Sequence, residues 1–225
     1  SGNHYCGGAL IATDLVLSAA HCVFFSFNFN DIYLYLGSTS RSKGGIRARV
    51  KDIKYHQRYN GFEYDIAVLR LKEHVTVTKT VKPINLARKE PPVGSEVFAT
   101  GWGKLDFEHP DSLIPIYLQG VTLKVSSKEE CKKIFKDIQN VQDENLCAYR
   151  LGKDTCVGDS GGPLAYKGEL LGIVSWGVGC ANKGYPGVYA SIPAFYDWIQ
   201  NKLGVAQKAA LHIKCSGNII KQPQK

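Results

Sequence analysis

The chain is written almost entirely in short β-patterned runs, and this restricts its fold more than any other feature. Residues 9–11, 15–17, 32–36, 46–50, 66–71, 97–100, 121–125, 164–166, 170–174 and 188–190 are such runs, separated by Gly, Asn, Asp and Pro turns. Strands this short and this closely spaced build sandwiches or barrels. Two helices interrupt them. Ser127-Lys128-Glu129-Glu130 has the form of a capping box leading into residues 131–135. Residues 193–203 open on Pro193, stop at Gly204 and place Phe195, Trp198, Ile199 and Leu203 on one face. The poorly patterned, Pro-rich stretch 79–94 reads as the connection between two β units. The expected division is 1–82, a connection at 83–94, then 95–203, with a basic tail at 204–225.

Composition narrows the class. With 225 residues and 44% hydrophobic content, the chain is too apolar to be mainly disordered. Its longest apolar stretch, 170–181, is glycine-rich and far short of the roughly 20 residues that cross a bilayer, so no membrane span is expected. The net charge of +8 reads as a solvated basic surface, or as attraction to acidic proteins, anionic glycans or nucleic acid. No RRM, zinc-finger or KH signature is present, so nucleic acid is not an expected partner. The polar opening Ser1-Gly2-Asn3-His4 carries no signal peptide, as in a chain whose leader has been removed or that begins part-way into the gene product.

The seven cysteines, Cys6, Cys22, Cys131, Cys147, Cys156, Cys180 and Cys215, form no C-x-x-C, and the six histidines are scattered. No zinc spacing arises, and no metal is expected. Separations of 16 (6 to 22, 131 to 147) and 24 (156 to 180) residues suit local disulfide loops in an oxidising compartment. Buried free thiols in a reducing one are the alternative. An odd cysteine remains, with Cys215 the natural candidate.

Three local motifs carry chemistry. In Gly158-Asp159-Ser160-Gly161-Gly162-Pro163, glycines flank a serine, allow a tight turn and let backbone N–H groups converge beside its hydroxyl. The same residues satisfy G-x-S-x-G. The nucleophile elbow of that motif needs strand, turn and helix with its histidine downstream, whereas here Pro163 and another strand follow. In Ser18-Ala19-Ala20-His21-Cys22 a histidine follows a strand beside a cysteine that can anchor it. A serine hydroxyl is a poor nucleophile unless an imidazole takes its proton. In Tyr64-Asp65-Ile66-Ala67 an acid precedes an apolar strand, where its carboxylate can fix an imidazole tautomer.

The order His21, Asp65, Ser160, with the contexts C-G-G-x-L-I, S-A-A-H-C, D-I-A-V-L, G-W-G (101–103), G-D-S-G-G-P and S-W-G (175–177), resembles the chymotrypsin/trypsin family of serine proteases over residues 5–203. The resemblance implies an all-β fold of two six-stranded antiparallel barrels plus a C-terminal helix, together one peptidase domain. It implies a secreted endopeptidase cleaving after Arg or Lys, with Ser160 as nucleophile, His21 as general base then acid, and Asp65 orienting His21. Gly158 and Ser160 match the oxyanion-hole donors. Asp154 matches the base of the specificity pocket, Thr155 lies beside it, and Gly177 and Gly187 match glycines that keep the pocket open. Ser175, Trp176 and Gly177 match the edge that pairs with substrate backbone, and Phe62 with Trp176 would shape the neighbouring apolar subsite. Disulfides Cys6–Cys22, Cys131–Cys147 and Cys156–Cys180 follow. Another bridge of many members is absent, with Gly120 and Tyr166 in its place, a pattern similar to invertebrate trypsins. Expected partners are peptides with Arg or Lys at the cleaved position and protein protease inhibitors, with an acidic protein or glycan at the basic strand 41–58. A monomer without cofactor is expected.

Several features depart from the family pattern. The stretch 37–45 holds no acid, so calcium, which wants carboxylate oxygens, is not expected to bind there. Pro186 resembles members without a sodium site. The tail with Cys215 has no counterpart. Active members begin with an Ile-Val-Gly-Gly-like terminus well before C-G-G, and its ammonium pairs with the acid matching Asp159; here five residues precede Cys6. The expectation is that Asp159, left without a cation, turns outward to water, and that the chain as given is inactive. A catalytically silent or zymogen-like homologue acting as a binding module is the alternative reading.

Overall fold

The computed structural model describes residues 4–24, 32–107 and 114–204. The expected tail, with Cys215, lies beyond these residues. The first unit comprises β1 (Ala9–Ala12), β2 (Leu15–Ser18), β3 (Tyr33–Leu36), β4 (Ile46–Tyr55) and β5 (Ala67–Leu71). They form one antiparallel sheet in the order β1-β2-β5-β4-β3. Among the described residues its edges β1 and β3 do not pair, so this unit is a five-stranded half-barrel, one strand short of the six expected.

The second unit comprises β6 (Asn85–Leu86), β7 (Glu96–Gly101), β8 (Gln119–Val125), α1 (Lys128–Phe135), β9 (Asn145–Tyr149), β10 (Pro163–Tyr166), β11 (Glu169–Trp176) and β12 (Gly187–Ser191). A helix α2 follows at 196–204. Strand β10 pairs with both β7 and β11, which closes six strands into a barrel with no free edge. Strand β6 adds parallel to β11, so part of the expected connection is itself sheet.

Most strands fall where the patterning places them, and the exceptions are informative. Strand β9 is buried at four of its five positions, so it lacks the polar–apolar alternation that marks a half-exposed strand. Helix α1 begins as expected, the Ser127 hydroxyl accepting from Glu130 N (3.3 Å). That hydroxyl then donates to Glu129 (2.8 Å), where a capping box would use the third helical residue. Helix α2 starts at 196, after a turn over 192–195.

The two units share a core. Leu170, Ile173, Ala190 and Ile192 of the second unit pack in one cluster with Leu15, Leu17, Leu69 and Leu71 of the first. Phe195 and Ile199 join that cluster, so the chain returns from the second barrel to cover the half-barrel. Each such buried side chain contributes roughly 1.5–3 kcal/mol of transfer free energy. Trp198 donates to Gln57 (3.2 Å) at the rim. The shared core joins β2 and β5 of the first unit to β11 and β12 of the second.

Candidate active site

Strand register brings the first two groups together. Ser18 of β2 lies opposite Ala67 of β5, so the residues that follow β2 and those that precede β5 leave the sheet side by side. His21 N then donates to Asp65 Oδ1 (2.9 Å) and His21 Nδ1 to Asp65 Oδ2 (2.7 Å). The Asp65 carboxylate is buried, and Ser175 Oγ also donates to Oδ2 (2.6 Å). Three donors on one carboxylate satisfy a charge that would otherwise be costly to bury. With Nδ1 committed as a donor, His21 Nε2 carries the acceptor lone pair, and the ring is 33% exposed.

The backbone before Asp65 is strained and held. Tyr64 has φ +54°, an unfavourable region for a bulky residue. His56 stacks on its ring at 4.9 Å and the Arg58 guanidinium lies 4.1 Å from its centroid. Such over-determination keeps strain in place, and nothing in the sequence marks it. Arg58 therefore belongs to the support of Asp65 and is not part of an open basic face.

Ser160 sits in a turn that needs glycines, with φ +100° at Gly158 and +77° at Gly161. Gly7 N donates to Ser160 O (2.7 Å), and Ser18 Oγ donates to Gly7 O (2.9 Å). A Cβ on Gly161 would overlap Ser18. These contacts fasten the Ser160 turn to the segment that carries His21, and the Cys6–Cys22 disulfide closes the same region. The amides of Asp159, Gly161 and Gly162 are taken by Cys156 O, Val174 O and Asp159 O. Those of Gly158 and Ser160 have no acceptor among the described residues. Two uncommitted N–H groups beside a serine hydroxyl can stabilise an oxyanion.

Asp159 corrects an expectation. Its carboxylate turns inward, accepting from Gly103 N (2.7 Å) and Cys156 N (2.9 Å). Two amide donors replace water, which removes the reason to turn outward. Burial pushes its carboxyl above the ordinary aspartate range, against the pull of those amides and the nearby His4. Side chains at Gly101 or Gly103 would overlap the carboxylate, so both glycines of G-W-G exist to admit Asp159. His4 Nε2 donates to Gly158 O (2.8 Å), a contact that the sequence reading did not foresee.

Asp154 faces the same interior. Its oxygens accept from Thr155 N (2.8 Å) and Ala181 N (3.1 Å), and burial is the main cause holding its carboxyl above the usual range. A Cβ on Gly187 would lie 2.8 Å from Asp154 Oδ1 and 3.1 Å from the Tyr189 hydroxyl, while one on Gly177 meets its nearest atom at 3.8 Å. Gly187 therefore gives room to the carboxylate itself, whereas a Cβ at Gly177 would make only ordinary van der Waals contact with Gly179 O. Thr155 Oγ1 and the Tyr189 hydroxyl are 3.2 Å apart. Burial pushes the Tyr189 phenol up, so it stays a neutral hydrogen-bonding group. A cavity of about 240 Å³ is lined by Asp154, Asp159, Gly101, Gly103, Gln119 and Cys180.

The remaining expected residues divide. Ser175, expected only as a backbone edge, places its hydroxyl on Asp65. Trp176 packs against Phe135 at 4.9 Å. Phe62 is 60% exposed, on a turn where Asn60 Oδ1 accepts from Phe62 N and Glu63 N. Gln142 donates to Glu63 and ties that turn to the second unit. The structure holds disulfides Cys6–Cys22, Cys131–Cys147 and Cys156–Cys180. Cys6, Cys22 and His21 group their ligand atoms within 4.8 Å, but the two sulfurs are bonded to each other and offer no thiolate to a metal.

A closed six-stranded barrel, a half-barrel, a His–Asp pair, and a glycine-flanked serine turn fastened to the His21 segment through Gly7 and Ser18 are the elements of a serine protease fold; among the described residues Ser160 Oγ and His21 Nε2 are not hydrogen-bonded. The chain belongs to the trypsin family, whose model matches residues 1–199. It is 40% identical over 207 residues to trypsin theta of Drosophila melanogaster, covering 89% of this chain and 77% of that protein. It is 42% identical over 201 residues to a trypsin of Sarcophaga bullata, covering 88% and 78%. The solved structure of neuropsin, a serine protease expressed in the limbic system of mouse brain, is similar with TM-score 0.79 and 32% identity, over 88% of this chain and 89% of that one.

Proposed function

We propose that this protein is a secreted endopeptidase that hydrolyses peptide bonds after Arg or Lys through an acyl-enzyme on Ser160. The observation that carries the reading is the 2.7 Å hydrogen bond from His21 Nδ1 to Asp65. It fixes the tautomer in which Nε2 accepts the Ser160 proton as the hydroxyl oxygen attacks the substrate carbonyl. The imidazolium so formed is stabilised by buried Asp65 and returns its proton to the leaving amine. Water then repeats the sequence to release the acid. The Gly158 and Ser160 amides receive the developing oxyanion. The Asp154 carboxylate, held by two amides and with no cation partner among the described residues, selects a guanidinium or ammonium. Substrate backbone would pair along 175–177 by strand addition. Three disulfides suit an oxidising compartment, and no helix among the described residues is long and apolar enough to cross a membrane.

The test is to compare kcat/KM for matched arginyl, lysyl and phenylalanyl peptide substrates and to label Ser160 with a fluorophosphonate. Hydrolysis of the basic substrates, lost in Ser160→Ala, is the expected result. Labelling with a preference for the phenylalanyl substrate would reject the Asp154 assignment. No labelling and no turnover would favour the silent homologue.

A further inference from the structure

The face of the half-barrel that turns away from the core carries cations that pair with no carboxylate among the described residues. In the β3–β4 register Tyr33 stands opposite Arg49 and Tyr35 opposite Arg47. Leu34, Leu36 and Ala48 pack inward, so strand alternation puts the two tyrosines and two arginines on the outward face, with exposed Lys51 next along β4. The Arg47 guanidinium lies 3.4 Å from the Tyr33 ring centroid and 6.0 Å from that of Tyr35, and Arg49 lies 5.8 Å from Tyr33. Exposed Lys43 extends the charge onto the hairpin, as does exposed Arg41, whose guanidinium donates to Pro115 O (3.3 Å) and Ile114 O (3.4 Å). Among the described residues none of these five cations is in a salt bridge, and Asp52, the acid of the strand, is taken by Lys54 at 3.3 Å.

Two features separate this surface from an ordinary solvated basic face. The arginines are ordered on aromatic rings, which leaves their N–H edges free and lowers the entropic cost of binding a carboxylate in a forked geometry. Aromatic surface is interleaved with the charge, the Tyr35 ring being 64% exposed. Tyrosine and arginine are residues that dominate protein–protein binding energy, whereas a sulfated glycan offers the Tyr35 ring only the C–H face of a sugar. We propose that this face binds an extended acidic segment of a polypeptide that carries apolar residues among its carboxylates. The carboxylates pair with Arg47, Arg49 and Lys51, and the apolar side chains cover the exposed Tyr35 ring. This interaction stands apart from catalysis and is measured without it.

The probe is a fluorescein-labelled twelve-residue peptide of glutamates and phenylalanines, followed by anisotropy against the full chain. The same peptide with every Glu replaced by Gln, and a heparin octasaccharide, are the comparisons. The Glu peptide is expected to bind at least tenfold more tightly than the Gln peptide. Arg47→Ala with Arg49→Ala should weaken it at least tenfold without lowering Tm. Arg47→Lys, which keeps the charge and loses the planar stack, should weaken it by a smaller factor. The milder Arg49→Gln serves if the double variant does not fold. Equal binding of the two peptides, unchanged binding by the variants, or tighter binding of the octasaccharide than of the Glu peptide would each overturn the proposal.

Discussion

Ser175 and Asp65 are joined by a 2.6 Å hydrogen bond from the serine hydroxyl to Oδ2, the same oxygen that receives His21 Nδ1. The donor lies on β11 of the closed barrel and the acceptor at the mouth of the half-barrel, so the carboxylate that orients His21 is positioned by both units. Ser175→Ala leaves a buried carboxylate one donor short. Such a loss costs about 1–3 kcal/mol. The expected outcome is a fall in kcat of about tenfold or more with KM for a small ester little changed, and a lower Tm. Unchanged kcat would show that the His21 geometry does not need this bond.

Asp154 gives a pH dependence with a definite sign. Burial holds its carboxyl above the ordinary value, so the folded protein binds the proton more readily than the unfolded chain, whose aspartates titrate near about 3.9. Stability from this site therefore falls as pH rises from that value through the folded one. Asp154→Asn should be more stable than the parent at neutral pH, and the difference should vanish in acid. Benzamidine binding should strengthen over the same window as the carboxylate ionises, and the variant should lose both the binding and its pH dependence in calorimetry.

Gly103 is expected to tolerate no side chain. A Cβ there overlaps the Asp159 carboxylate, and moving that group leaves a buried charge without its two amides. Gly103→Ala should destabilise by about 1–3 kcal/mol from overpacking alone. It should also slow fluorophosphonate labelling of Ser160 by about 10²-fold, because the adjacent oxyanion amides shift. Normal labelling with a lowered Tm would separate packing from the site.

The Cys156–Cys180 bridge touches both buried acids. Cys156 N donates to Asp159, and Ala181, beside Cys180, donates to Asp154. Replacing both cysteines by Ala opens a loop with a sequence separation of 24 residues, for which chain entropy predicts about 3–4 kcal/mol of lost stability. Benzamidine affinity should fall more steeply than in the Cys131→Ala, Cys147→Ala pair. Equal loss in both pairs would show that the bridge does no more than staple the chain.

Much of the fold follows from local chemistry. Turn residues between short apolar runs require many strands, and these lie close to where the runs are. The Gly158–Pro163 turn, Ser18–Cys22 and Tyr64–Ile66 carry a nucleophile, a base and an acid whose order and contexts are legible without coordinates. Strand β9 is not legible, because burial on both faces erases alternation, and whether β1 and β3 pair, which they do not among the described residues, is a matter of pairing across the sheet. Tertiary structure alone decided what the side chains at those ends touch. Ser175 on Asp65, His4 on Gly158 O, the glycine cradle of Asp159 and the clamp of His56 and Arg58 on strained Tyr64 join residues 6 to 154 positions apart. No local period encodes such contacts, since they depend on how two sheets close around a shared core and on which buried charge finds an amide when water is removed.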